Sequence, residues 1–185
     1  VWDGHKLLLM PSLVTGVLFR RADHCLDTFS QEASYLLGRD PREEWFNLSH
    51  QTLECTKNTM GLKLWLTLKV VGAQALGALV ERLFGLAGAL ARTLEAADDF
   101  ELAVAPQANI VCFRHLPGAD LAGPELDAHQ ARLRKAVIQA GTHYLVQTDL
   151  HGQTYLRVTL MNPRTTEADL EGLLAALRAA ASVDG

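Results

Sequence analysis

Trp2-Asp3-Gly4-His5-Lys6-Leu7-Leu8-Leu9-Met10, running on through Pro11-Ser12-Leu13-Val14-Thr15-Gly16 to Arg20, is the stretch on which the fold turns. Lys6 is the one strongly charged residue between Asp3 and Arg20. An apolar surrounding disfavours the ammonium form of a lysine. The neutral amine that results can attack a carbonyl and form a Schiff base. The same pattern also fits a solvated lysine at the start of a strand. Residues 7–10 and 12–19, rich in Leu and Val, are predicted as two short strands. Pro11, which lacks a ladder donor, divides them, and Gly16 marks a bulge or a close backbone approach.

Further motifs follow in order. Gln31-Glu32-Ala33-Ser34-Tyr35-Leu36 places a tyrosine in a polar segment. Thr52-Leu53-Glu54-Cys55-Thr56-Lys57 precedes Leu62-Lys63-Leu64-Trp65. Tyr155-Leu156-Arg157 precedes Asn162-Pro163-Arg164-Thr165-Thr166. Together with Asp3-Gly4-His5-Lys6, these resemble the group II pyridoxal-phosphate amino-acid decarboxylases over essentially the whole chain. That family includes the aromatic, glutamate, histidine and 2,4-diaminobutyrate decarboxylases.

The resemblance implies an α/β fold of type I, comprising the C-terminal part of a large cofactor domain and an α+β small domain. It also implies pyridoxal 5'-phosphate as cofactor. Lys6 would be its Schiff-base lysine, His5 would lie near the phosphate, and Asp3 would belong to the same cofactor-binding turn. Tyr35 would be the catalytic tyrosine of a mobile loop over about 31–51. Lys57 stands where the family carries an arginine near the active site. Arg157 could hold a carboxylate bidentately, but a structural ion pair is the role expected first. The expected division is 1–97 and 98–185. Expected partners are an amino-acid substrate, a region preceding Val1 that carries the groove for the pyridine ring, and a second copy in a homodimer.

Composition agrees with a folded domain or small pair. Of the 185 residues, 49% are apolar and 21% charged, so disorder is not expected. A net charge of -4 gives no basic face for nucleic acid. Cys25, Cys55 and Cys112 have no paired spacing, and we read them as reduced thiols of a cytoplasmic protein. The seven histidines, His5, His24, His50, His115, His129, His143 and His151, show no i, i+4 pair, so no metal is expected. Residues 62–91 are the most apolar region, but Lys63, Lys69, Glu81 and Arg82 interrupt them. They lack the roughly 18 uninterrupted apolar residues of a membrane span.

The remaining pattern predicts a short helix capped by Asp23 and helices over 54–71 and 73–97. After Phe100 come two strands (100–105 and 109–115) and a helix from Pro124 to a stop at Gly141. A hairpin then turns at His151-Gly152. The last helix opens at a Thr166/Asp169 capping box.

The function expected is decarboxylation of an L-amino acid to an amine and CO2. Two alternatives stand beside it. One is a non-catalytic fragment that dimerises or docks through its apolar helices. The other is a pyridoxal-phosphate transaminase.

Overall fold

The computed structural model describes residues 1–11, 13–29, 46–54, 58–118 and 121–183. Tyr35, Lys57 and most of the expected 31–51 loop lie outside the described residues. The chain forms two compact units, Val1–Gly72 and Ala73–Gly185.

The first unit holds a two-stranded antiparallel ladder, β1 (Trp2–Asp3) with β2 (Thr15–Gly16), paired Trp2↔Gly16 and Asp3↔Thr15. The strand predicted at 7–10 is absent. That segment turns instead, with Lys6 N–H donating to Asp3 O (3.2 Å) and Leu9 N–H to Lys6 O (3.3 Å). Leu9 sits at φ 53°. Bonds from residue i+3 back to i consume the groups that a strand would offer a neighbour. The predicted strand at 12–19 shrinks to Thr15–Gly16.

Helix α1 (Ala22–Phe29) follows. Asp23 is not its cap but a first-turn residue, ion-paired to Arg21. A 3₁₀ turn at Leu48–Gln51 is capped by the Asn47 side chain, which accepts from Ser49 N–H at 3.1 Å. Helix α2 (Met60–Val70) starts later than the pattern suggested and has no buried residue. Leu62, Trp65, Leu66 and Val70 are 49, 54, 45 and 82% exposed.

The second unit matches the pattern much more closely. Helix α3 is Ala73–Glu95, β3 Phe100–Leu102, β4 Ile110–His115, α4 Pro124–Ala140, β5 Val146–Leu150, β6 Gln153–Thr159 and α5 Glu167–Val183. The expected division after residue 97 put α3 with the preceding segment. The helix instead packs on β3, β4 and α5. By length and composition α3 could cross a membrane. Its buried residues Leu83, Leu86, Leu90 and Leu94 nonetheless face this unit's core.

The strands form one antiparallel sheet in the order β3-β4-β6-β5. Alternation sends Val111 and Phe113 of β4, with Leu156 and Val158 of β6, into a core shared with Leu133 of α4 and Leu174 and Leu177 of α5. Local chemistry sets the element ends. Pro124 opens α4, and Gly141, at φ 72°, closes it with its N–H on Ile138 O. His151 and Gly152 turn the β5–β6 hairpin at φ 55° and 77°. Both central residues of a type I′ turn need that left-handed backbone. Asp169 accepts from Thr166 N–H (2.8 Å), and Asp169 N–H donates to Thr166 Oγ1 (3.3 Å), a reciprocal cap.

The core also holds a polar cluster. His115 Nδ1 lies 3.0 Å from His129 Nε2, so these nitrogens share one proton. His115 packs edge-on against Phe100. Burial holds its imidazole below the usual histidine range; the nearby Asp99 carboxylate opposes that shift and Arg178 reinforces it.

Candidate active site

The turn carrying Asp3, His5 and Lys6 is held by a dense set of short-range bonds. Gly4 N–H donates to Val14 O (2.8 Å), and Met10 N–H donates to Gly4 O (3.2 Å). These bonds tie the start of the 4–10 loop to Val14, just before β2, and tie the loop's two ends to each other. Space at position 4 is tight: a Cβ there would lie 2.9 Å from Met10 Sδ and 3.2 Å from the Trp2 ring, so one of those side chains would have to shift. Met10 and Val14 are buried, at 4% and 3% exposure.

The three polar side chains project from that frame. Thr15 Oγ1 donates to Asp3 Oδ1 at 2.7 Å, and Lys6 Nζ meets Asp3 Oδ2 at 2.5 Å. The Lys6 side chain is 60% exposed. Within this chain the amine is therefore solvent-accessible and ion-paired, whereas the sequence led us to expect a desolvated lysine. The apolar run that suggested desolvation turns away into the 7–10 loop.

His5 Nδ1 is 3.1 Å from Val14 O and 3.4 Å from Val14 N. Protonated at Nδ1, the ring donates to the carbonyl; protonated at Nε2, it accepts the Val14 N–H and keeps a free donor pointing outward. Val14 and Thr15 are the site residues that sequence reasoning missed. The Asp3↔Thr15 pairing that brings them in depends on long-range ladder register, which no local motif encodes.

Lys6, and after it Thr15, hold the Asp3 carboxyl below its usual value of 3.8. The sign is that of a depressed acid: the network is complete above 3.8 and is lost as pH falls through the lowered value. Titration of Asp3 by carboxyl NMR should give a midpoint below 3.8. Lys6→Ala should raise it more than Thr15→Ala does, and the reverse order would refute this assignment.

Arg157 and the Asp3–Lys6 turn belong to different units. Arg157 sits on β6 opposite Cys112 on one side and Val146 on the other. The expected structural ion pair does not form among the described residues. Arg114 is the paired arginine of that sheet face. It bonds Glu101 at 2.6 and 3.2 Å and stacks 4.4 Å from the Tyr155 ring centroid. Arg157 is thus an uncommitted guanidinium beside a thiol. Burial raises the Cys112 pKa, and Arg157 draws it back. Among the described residues no group of three or more His, Cys, Asp or Glu side chains comes together.

Residues 1–116 match the model of the pyridoxal-dependent decarboxylase conserved domain. The chain belongs to the pyridoxal-dependent decarboxylase family. It is 29% identical to an L-2,4-diaminobutyrate decarboxylase of Rhizobium meliloti (strain 1021) over 180 residues, covering 95% of this chain and 35% of that protein. A crystal structure of the glutamate decarboxylase domain of diaminobutyrate-pyruvate transaminase and L-2,4-diaminobutyrate decarboxylase, from Vibrio parahaemolyticus, is 31% identical. It aligns with a TM-score of 0.60 over 67% of this chain and 26% of its own. Mouse CSAD aligns with a TM-score of 0.80 at 21% identity, over 97% of this chain and 39% of its own. The fold is that of the type I pyridoxal-phosphate decarboxylases, as the sequence motifs implied. This family member spans about a third to two fifths of the length of the curated relatives it matches.

Proposed function

We propose that this chain is the lysine-bearing part of a pyridoxal-phosphate-dependent L-amino-acid decarboxylase, with Lys6 as the residue that holds the cofactor aldehyde. The observation that carries this is the fixed Asp3–Met10 turn, which presents an accessible primary amine ion-paired to a carboxylate, with an imidazole on the adjacent residue. The residues present fit the cofactor: the Lys6 amine is 60% exposed, and His5 can offer a donor.

When bound, the cofactor supplies an electron sink for loss of the substrate carboxylate as CO2. To hold the cofactor aldehyde, Lys6 would have to give up its 2.5 Å ion pair with Asp3. His5 would hold a phosphate oxygen through Nε2–H, with Nδ1 either accepting the Val14 N–H in the neutral ring or donating to the Val14 carbonyl in the imidazolium. Asp3, still bonded to Thr15, keeps the turn in place. Tyr35 is assigned the return of a proton to the substrate α-carbon, general-acid work by a phenol. Lys57 and Arg157 are assigned supporting roles, with Arg157 as a holder of carboxylate. The remaining walls of the ring site are assigned to polypeptide preceding Val1 in the whole enzyme, with a second copy completing a cytoplasmic homodimer.

Incubation of the chain with pyridoxal phosphate, borohydride reduction and peptide mapping tests the central assignment. The reduced adduct should concentrate on the Lys6 peptide and vanish from it in Lys6→Ala. Equal labelling of Lys6, Lys63, Lys69 and Lys135 would count against it.

A second reading has its own support. An 11-residue helix with no buried residue is marginal in water by itself. The exposed face of α2 therefore favours a docking role for this chain beside, rather than instead of, the catalytic one.

A further inference from the structure

A cleft of about 490 Å³, lined wholly by second-unit residues, opens between the end of β6 and the start of α5. Its size falls in the range of small-molecule sites, about 300–1,000 Å³. Val158, Leu160, Leu170 and Leu173 form an apolar floor and are 4–6% exposed. Arg164 and Asp169, of opposite charge, line the same cleft. They do not pair with each other. The Arg164 guanidinium makes no hydrogen bond or ion pair among the described residues. Asp169 uses Oδ2 for both bonds from Thr166, which leaves Oδ1 open.

The loop carrying Arg164 is fixed independently of that side chain. Arg82 of α3 donates to Pro163 O at 2.6 Å and to Thr165 O at 2.5 Å. Asn162 Oδ1 accepts the Arg164 N–H at 2.9 Å. The charge of Arg82 is thereby spent on carbonyls. His143, the other titratable group of the lining, faces Thr142 Oγ1 at 3.1 Å through Nδ1. A preorganised rim lowers the cost of ordering on binding.

An isolated anion would meet the Asp169 carboxylate, and an isolated amine would meet Arg164. A molecule bearing both charges satisfies both groups. We propose that this cleft binds a zwitterionic α-amino acid with an apolar or aromatic side chain. Its carboxylate would lie on Arg164, its ammonium on Asp169, and its side chain on the four-residue floor. This goes beyond the assignment of Lys6 and does not depend on it.

The test uses the whole chain, nitrogen-15 labelled, titrated with L-phenylalanine, 3-phenylpropionate and phenethylamine. Phenylalanine should shift the Leu170 and Leu173 amides saturably. Each one-charge analogue should bind about tenfold more weakly, the loss of one charge-assisted contact. Arg164→Gln should weaken phenylalanine by a similar factor, and Lys6→Ala should leave it unchanged, which separates this site from the cofactor lysine. The proposal is overturned by analogues that bind as well as phenylalanine, by an Arg164→Gln chain of undiminished affinity, or by shifts that map elsewhere or do not occur. The analogue series needs no variant, so it stands even if a substitution disturbs folding.

Discussion

Phe113→Ala should cost the second unit about 3–5 kcal/mol of folding free energy, the usual price of removing a fully enclosed aromatic ring. Phe113 is 0% exposed and meets Phe100 edge-on at 6.0 Å between centroids. It lies on the central β4, whose neighbours on both sides and covering helix α3 leave little freedom to collapse into a cavity. Denaturation of the full chain followed by far-ultraviolet circular dichroism measures the effect. Tryptophan fluorescence would miss it, because Trp2, Trp45 and Trp65 all fall within Val1–Gly72. A loss below about 1.5 kcal/mol would mean that the site repacks as freely as a volume-conserving exchange.

Gln130→Leu should be nearly as damaging, by a different mechanism. The pairing of β4 with β6 ends at Phe113↔Leu156, two residues short of His115. The Gln130 carboxamide substitutes for the missing strand. Its Oε1 accepts the His115 N–H at 3.0 Å, and its Nε2 donates to His115 O at 2.8 Å. Gln130 is 0% exposed, so water cannot replace it. Stranding a buried donor and a buried acceptor costs about 1–3 kcal/mol each, and so about 2–6 kcal/mol in total. Hydrogen exchange at the His115 amide gives the specific signature: the amide should lose protection beyond the global change. Protection that falls only in step with overall stability would exclude this mechanism.

The two units differ in how much of them the sequence disclosed, and the difference is physical. Pro124, Gly141, His151-Gly152 and the Thr166/Asp169 box act through backbone constraints within a few residues, so each could be read where it stands. The run at 7–10 misled because its apolar content fits a strand, while its geometry is set by Val14 across the ladder. The same long-range bonds hid Val14 and Thr15 as partners of His5 and Asp3. The His115–His129–Gln130 cluster joins a strand end to a helix in the fold, and nothing periodic in the chain announces it. The motif around Lys6 was legible as family chemistry. Its ion pair with Asp3 and its exposure were not, since both depend on where neighbouring side chains stop.

The crowding at Gly4 bears on how this turn can vary over evolutionary time. Any side chain at that position must displace the tip of Met10 or the indole of Trp2. Positions 2, 4 and 10 should therefore drift together, a bulkier residue at one being tolerated after trimming at another. The segment that presents the amine would then be inherited as a block.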